Sequence, residues 1–403
     1  MPLEEIITII NHGFGTTIGN IGIIIIAGLI IGTFLEKSGG AYALANFTLK
    51  LIGPKQVHAA MAFIGYIVSI PVFADSGFII LSPLNKAISK KAGLSLAGTA
   101  IALAIGLMAT HTMVPPTPGP IAAAGIVEAD LGKVILIGLI VSLCSMIVGI
   151  FFAKKVGDRV YIDPAPEMDE AQIEQKIAEA PSALKSFLPI IVPIFLIVLR
   201  SFAEYPTAPF GDGSLKTFLS FIGNPVAALF IGIIIALFLP KKFDKAMLST
   251  SGWVGEALKS AAIIILITGA GGAFGKVLQN SDIALIIEEA GIGSGLGIWL
   301  PFLIAAAIKS AQGSSTVAII TTASILAPLL PAMGLDSDTS RAVVVIAIGA
   351  GSAVVSHAND SFFWVVTQLS HMDVNQGYRL HSLGTGILGF SAMIFLTLLT
   401  FFL

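Results

Sequence analysis

A proline cluster interrupts a stretch of the chain that is otherwise apolar enough to cross a membrane. No Asp, Glu, Lys or Arg occurs from 97 to 127, and the middle of this stretch reads A-T-H-T-M-V-P-P-T-P-G-P from Ala109 to Pro120. Prolines remove backbone donors and clash with the preceding turn, so one continuous helix cannot form here. Backbone that breaks at membrane depth must line a cavity or pack inside protein. The sequence therefore predicts a broken helix over 97–127.

A second stretch repeats this arrangement in the other half of the chain. Val354 to Trp364 reads V-V-S-H-A-N-D-S-F-F-W, again with a hydroxyl residue followed by histidine after small and apolar residues. It predicts a second broken helix over 341–369. Two broken membrane segments in corresponding halves of a chain indicate the binding site of a transporter.

The composition of the chain is that of a membrane protein. Of its 403 residues, 55% are hydrophobic and 11% are charged, whereas soluble domains carry about 25% charged residues. We expect an all-α polytopic membrane protein with no separate soluble domain. The single cysteine, Cys144, excludes an intramolecular disulfide and a cysteine-based metal site.

The two halves share an order of segments: a span, a polar turn, a hairpin with a polar tip, a broken helix and a final span. This order predicts an inverted-repeat transporter with two re-entrant hairpins and two discontinuous helices. The polar stretch between the halves is rich in basic residues, which predicts a cytoplasmic linker. The expected parts are a first repeat at 1–153 with a hairpin near 57–88, the linker at 154–185, and a second repeat at 186–403 with a hairpin near 298–333.

The halves also differ at their beginnings. The second half begins with two apolar spans, between 186 and 239, that have no counterpart before Thr16. We hypothesise that the natural protein has an additional N-terminal helical pair that this sequence lacks. A genomic region without an in-frame hydrophobic segment upstream would exclude that hypothesis.

Asp75 and Lys309 are isolated charges in apolar surroundings. Asp75 is the only formal charge between Ala59 and Leu84, and Lys309 is the only one from Gly291 to Leu335. A carboxylate at membrane depth costs at least about 2.5 kcal/mol on insertion scales, so Asp75 is either a proton carrier or substrate ligand, or part of a structural pair. Lys309 either attracts an anionic substrate or extends its ammonium group to the membrane interface.

Histidines occupy equivalent points of the two broken helices. His111 and His357 each follow a hydroxyl residue, and Asn359 and Asp360 lie in the same break as His357. Each histidine is either a hydrogen-bonded structural group or a functional one, since imidazole changes charge near neutral pH. The remaining histidines lie near span ends and are expected at the surface: His12, His58, His371 and His381.

A glycine followed by hydroxyl residues forms the predicted tip of the second hairpin. Gly313, Ser314, Ser315 and Thr316 could open a half-helix whose free N–H groups suit a carboxylate. The alternative is structural, because Ser and Thr also pack membrane helices together. The sequence contains no phosphate-binding G-x-x-x-x-G-K-[ST] loop, no H-E-x-x-H motif and no G-x-S-x-G motif.

Four motifs in order closely resemble the gluconate permease (GntP) family. They are Asp75-Ser76-Gly77-Phe78, Thr110-His111 with the proline cluster, Gly313-Ser314-Ser315-Thr316, and Ser356-His357-Ala358-Asn359-Asp360. The resemblance implies a proton symporter of the bacterial inner membrane for gluconate and related small hydroxy acids. It also implies a homodimer, with a scaffold and a transport domain that moves in an elevator-like manner.

Two departures from the family pattern bear on the substrate. Members that resemble gluconate carriers usually have Glu-Val-Gly-Phe where this chain has Asp75-Ser76-Gly77-Phe78, and a histidine where this chain has Thr117. A shorter acid beside an extra hydroxyl makes smaller hydroxy acids, such as glycerate or threonate, plausible substrates, and D-serine is carried by some relatives.

The expected function is therefore proton-coupled uptake of gluconate or a related small hydroxy acid, with no cofactor, metal or nucleic acid. A sodium-coupled carrier is the alternative, and a membrane-embedded enzyme is a weaker one. The expected substrate-binding residues are Ser76, Gly77, Thr110, Lys309, Gly313, Ser314, Ser315, Thr316 and Asn359. The expected proton-coupling residues are Asp75, His111, His357 and Asp360.

Overall fold

The computed structural model describes residues 3–53, 56–166, 168, 170–204, 209–280 and 296–403, and every regular element in these ranges is helical. Positions 167 and 169 of the predicted linker lie outside the described residues. The first half contains α1 (Leu3–Lys37), α2 (Gly40–Ile52), α3 (Val57–Val68), α4 (Ala74–Ala92), α5 (Leu96–Met113), α6 (Pro118–Ile126) and α7 (Leu131–Lys155).

The second half begins after the linker helix α8 (Glu170–Glu179). It contains α9 (Ala183–Ala203), α10 (Ser214–Ile222), α11 (Pro225–Ala236), α12 (Trp253–Gln279), α13 (Trp299–Gln312), α14 (Ser315–Leu326), α15 (Asp338–Ala353), α16 (Ser361–Leu369) and α17 (Val374–Leu399). Helix α17 includes a π-helical turn at Tyr378–Ser382.

Several of these helices are long and apolar enough to cross a membrane. The described part of the chain has 6 such helices, or 7 if α10 and α11, which meet at 61°, count as one bent span. Large apolar side chains also cover the outer surface, as at Phe195, Phe230 and Ile234. An apolar exterior suits lipid rather than water, and the all-α polytopic prediction is confirmed.

The proline cluster separates α5 from α6. Every residue of α5 is buried, and the helix ends at Met113, followed by extended backbone at Val114. Helix α6 restarts with Pro118 at its first position, where the missing N–H would have no helical acceptor. The Thr117 hydroxyl bridges the interruption by donating to the Val114 carbonyl at 2.7 Å. The regular helical backbone is therefore interrupted between Met113 and Pro118.

Interruptions also separate α3 from α4, α13 from α14, and α15 from α16. Helix α3 packs against α5, as α13 packs against α15. Helix α7 also contacts α5, as α17 contacts α15. Contacts also cross between the halves, because α4 packs on α16 and α6 packs on α14. This shared contact pattern supports the proposal of an internal repeat.

Close backbone approach holds these helices together. A Cβ at Gly106 of α5 would lie 1.9 Å from the Ala62 carbonyl oxygen of α3, so only glycine fits there. The long helices α1 and α12 pair in the same way, since a Cβ at Gly272 would lie 2.0 Å from the Thr17 hydroxyl oxygen. Small residues at such contacts let membrane helices pack closely. Helix α12 also packs on α14, and α1 packs on α6, so the α1–α12 pair flanks the interrupted helices.

Candidate functional site

Three of the four helix interruptions and the end of α5 contribute residues to one cavity of about 330 Å³. Its walls come from the beginnings of α4, α14 and α16, the end of α5, and one face of α12. The polar residues on these walls are Asp75, His111, Ser260, Ser314, Ser315, Thr316, Asp360 and Ser361. Residues from widely separated parts of the sequence thus surround a space large enough for a small organic acid.

Three helix N-termini border this cavity. In α14, the Ser314 hydroxyl oxygen accepts from the Val317 N–H at 3.3 Å, while the N–H groups of Ser315 and Thr316 lie in the first turn. In α4, no side chain caps the N-terminus at Phe73. First-turn N–H groups lack acceptors within the helix and carry its positive partial charge. This part of the cavity is therefore suited to an anion.

Asp75 lies in the first turn of α4 and is half-buried. Its carboxylate accepts a hydrogen bond from Ser361, the first residue of α16. The charges of Asp360 and Lys309 act on it through the protein interior. The structure therefore brings the isolated carboxylate of the first half to the break of the second half.

Lys309 and Asp360 form a buried ion pair beside the cavity. Their side chains are 0% and 6% exposed, and Lys309 Nζ lies 2.6 Å from Asp360 Oδ2. Lys309 also donates to the Gly313 carbonyl, so it joins the tip between α13 and α14 to the break before α16. This geometry excludes an ammonium group extended to the membrane interface. Lys309 is not among the residues that line the cavity.

His111 lines the cavity at the end of α5. The residue is 7% exposed, and its ring lies 5.8 Å from the Phe73 ring between centroids. Among the described residues, no side chain or backbone group hydrogen-bonds its Nδ1 atom. Buried polar atoms are nearly always hydrogen-bonded, so a ligand or water is the expected partner.

Other predicted site residues serve the packing around the cavity. The Thr110 hydroxyl donates to the Tyr66 carbonyl of α3 at 2.9 Å, which commits it to helix packing. Gly77 faces α5, where an added Cβ would lie 2.6 Å from Leu107 Cδ2. Ser76 is half-buried and is not among the cavity-lining residues.

The tip at Gly313 is held by the second break. His357 Nε2 and Asn359 Nδ2 each lie 2.9 Å from the Ser310 carbonyl oxygen. Gly313 has φ +90°, and a Cβ there would lie 2.1 Å from the Asn359 carbonyl oxygen. These residues therefore fix the tip of the hairpin rather than line the cavity.

Sequence reasoning missed three residues of this region: Ser260, Ser361 and His381. Ser361 could have been identified from the sequence, because it directly follows Asp360 in the second break.

Two histidines expected at the surface are buried. His381 is 1% exposed and contacts the break through Ser356. His58 was also predicted wrongly, because it is 6% exposed and pairs with Asp158 at 2.9 Å. His12 and His371 are exposed, as expected.

Comparison with known proteins identifies relatives along the whole chain. The model of the GntP family permeases matches residues 1–402. A gluconate permease of Pseudomonas aeruginosa is 34% identical over 99% of this chain and 89% of its own length. The L-idonate transporter of Escherichia coli is 31% identical over 94% of this chain and 85% of its own length. The D-serine transporter DsdX of E. coli is 33% identical over 99% of this chain and 89% of its own length.

Solved structures share the fold at low sequence identity. The YdaH transporter of Alcanivorax borkumensis is 15% identical, with a TM-score of 0.66 over 100% of this chain and 90% of that one. MtrF of Neisseria gonorrhoeae is 17% identical, with a TM-score of 0.67 over 98% of this chain and 84% of that one. The chain belongs to the GntP family of permeases and is a multi-pass protein of the bacterial inner membrane rather than an enzyme.

Proposed function

We propose that this permease takes up a small hydroxy acid together with protons. The observation that carries the proposal is the cavity in which three helix N-termini meet Asp75 and His111. Relatives named for gluconate, L-idonate and D-serine support a small, polar carboxylate as the substrate class. The proposal assigns the anion to the helix N-termini and the proton to Asp75.

The substrate carboxylate would bind at the beginning of α14. The N–H groups of Ser315 and Thr316 belong to its first turn, and a 12-residue helix contributes its positive end there. His111 lines the same cavity, and its Nδ1 atom, which has no partner among the described residues, can hydrogen-bond a carboxylate or a hydroxyl group. The hydroxyl groups of Ser361 and Thr316 supply further partners for a hydroxylated solute.

Hydrogen bonding distinguishes Asp75 from Asp360 as the proton carrier. Asp360 accepts hydrogen bonds from Lys309 and Ser356 at Oδ2 and from the Phe362 N–H at Oδ1. These three donors stabilise its ionised form. Asp75 has the Ser361 hydroxyl as its side-chain partner and lines the cavity. A carboxylate with few donors, in a cavity that receives an anion, is the better proton acceptor.

Coupling would follow from repulsion between like charges. An ionised Asp75 and a bound carboxylate about 6 Å apart would repel by about 3 kcal/mol at an effective dielectric constant of about 20. Protonating Asp75 removes that repulsion, which corresponds to an affinity gain of roughly 100-fold. Linkage is reciprocal, so the bound anion would equally favour protonation.

One wall of the cavity favours a short substrate. Besides Ser260, helix α12 contributes Ile263, Ile264 and Ile267, and these three side chains form no hydrogen bonds. A six-carbon polyhydroxy acid would place hydroxyl groups against this wall, where desolvation without a partner is costly. We therefore favour acids of about three or four carbons, such as glycerate or threonate.

Transport by the purified protein in liposomes tests both substrate and ion. Labelled gluconate, glycerate, threonate and D-serine are supplied under an inward proton gradient, with and without sodium. The proposal expects accumulation of a short hydroxy acid that a protonophore abolishes and sodium does not affect. Accumulation that requires sodium and survives a protonophore would establish the sodium-coupled alternative.

The oligomeric state and the moving parts are further proposals. Family resemblance favours a homodimer whose interrupted helices move past the α1–α12 pair. The mass of the detergent-solubilised protein, measured by light scattering, tests the dimer directly.

A further inference from the structure

Helix α17, in and just after its π-helical turn, forms hydrogen bonds with Ser356 of the second helix break. Ser356 is 0% exposed, and its N–H donates to Thr385 Oγ1 at 3.0 Å. Its carbonyl accepts from the Ser382 hydroxyl. Its own hydroxyl lies 3.0 Å from His381 Nε2 and 2.5 Å from Asp360 Oδ2. Every polar group of Ser356 therefore has a hydrogen-bonding partner. Three of the four partners belong to α17, and the fourth is Asp360.

Hydrogen-bonding capacity fixes the direction of these contacts. An ionised carboxylate can only accept, so the Ser356 hydroxyl donates its proton to Asp360. The same hydroxyl oxygen must then accept from His381, which requires a proton on Nε2. His381 thus keeps the Ser356 hydroxyl oriented toward the ion pair of Asp360 and Lys309.

The surroundings hold the His381 ring in this position. The ring is 1% exposed and lies 5.3 Å from the Phe362 ring and 6.1 Å from the Phe363 ring between centroids. The charged groups that act on it are Asp360 and Lys309. A π-helical turn inside an α-helix is frequently found at functional sites.

We propose that His381 is a positioning residue of the transport site, acting through Ser356 on Asp360. Asp360 binds Lys309, and Lys309 binds the Gly313 carbonyl immediately before α14. This series of contacts links His381 to the helix N-terminus assigned to the substrate carboxylate. The inference rests on the proposed function in that it takes the beginning of α14 as the substrate site.

Exchange of labelled substrate across liposomes without a proton gradient tests the role of His381, with KM and the maximal rate measured separately. We expect His381→Leu and Ser356→Ala each to raise KM about 10-fold, the effect of losing roughly 1.4 kcal/mol of hydrogen bonding to a charged network. His381→Gln keeps an N–H donor and should bring KM back to within about threefold of the parent value. The double variant Ser356→Ala with His381→Leu should be no worse than Ser356→Ala alone.

His58→Leu is the matched control, because His58 is also buried beside a carboxylate but lies outside the cavity. It should lower stability and leave KM unchanged. Equal KM values for His381→Leu and His58→Leu would overturn the inference. The inference would also be overturned if the fold-increase in KM of the double variant equalled the product of the fold-increases of the two single variants.

Thermal unfolding in detergent provides a readout that needs no substrate. If His381 acts through Ser356, the two single variants lower the melting temperature by amounts that do not add in the double variant. Additive shifts would overturn the inference. If the parent protein exchanges none of the acids, the proposed function fails, while this unfolding cycle still decides whether His381 acts through Ser356.

Discussion

Replacing Lys309 by methionine should strongly destabilise the protein. The lysine is 0% exposed and its Nζ lies 2.6 Å from Asp360 Oδ2. Methionine fills a similar volume but leaves Asp360 as a buried, uncompensated charge, and removing one partner of such a pair costs about 3–5 kcal/mol. With an unfolding entropy of about 2.1 cal/mol/K per residue, this cost corresponds to a fall in melting temperature of roughly 4–6 °C for a chain of this length.

Thermal unfolding in detergent, followed by tryptophan fluorescence, measures this effect. The double variant Lys309→Met with Asp360→Asn removes both charges and should recover most of the lost stability. Lys90→Met is the matched control, because Lys90 pairs with Asp163 at 3.3 Å where both side chains are 58% exposed. Exposed ion pairs contribute little, so this variant should unfold like the parent protein. A Lys309→Met protein as stable as the parent, or a double variant no better than the single one, would refute the reasoning.

Three further substitutions test the packing and the cavity. Gly313→Ala should abolish transport, because its Cβ would meet the Asn359 carbonyl. Gly334→Ala is the control and should keep transport, because Gly334 is also at positive φ but a Cβ there would have no atom within 4 Å. Uptake measured for both variants tests this prediction. Gly106→Ala should lower the melting temperature, because the added Cβ would push α3 away from α5. Gly19→Ala should not, because a Cβ at Gly19 would have no atom within 4 Å. Equal melting temperatures for the two variants would contradict the packing argument. His111→Phe should raise the KM for exchange about 10-fold by removing Nδ1, and an unchanged KM would exclude this atom as a ligand.

The positions of the helix breaks could be predicted because local chemistry determines them. Pro115 and Pro116 lack the N–H groups that would continue α5, and Pro118 fits only the first turn of a new helix. Asp75 could be identified for a similar reason, since an isolated carboxylate in an apolar stretch requires a partner or water. In both cases the argument needs only neighbouring residues in the sequence.

The pairing of residues could not be predicted, because it depends on tertiary packing. Lys309 and Asp360 are 51 positions apart in the sequence. Both interpretations of Lys309 from the sequence, a substrate ligand or a group at the membrane interface, therefore left out a partner within the protein. His381 was wrongly expected at the surface because its burial arises from the packing of the π-helical turn against Ser356 and two phenylalanines. The orientation of the Thr110 hydroxyl toward Tyr66 likewise depends on how α3 packs on α5.

Asp75→Asn tests the central claim most directly. In liposomes under an inward proton gradient, the variant should fail to accumulate the substrate acid, because the amide cannot take up the coupling proton. Exchange of labelled substrate without a gradient should persist, since the amide lacks the charge that repels the anion. Asp75→Glu is the control that keeps the ionisable group and should retain some accumulation. Protonophore-sensitive accumulation by Asp75→Asn at the parent level would contradict the assignment of Asp75 as the proton carrier.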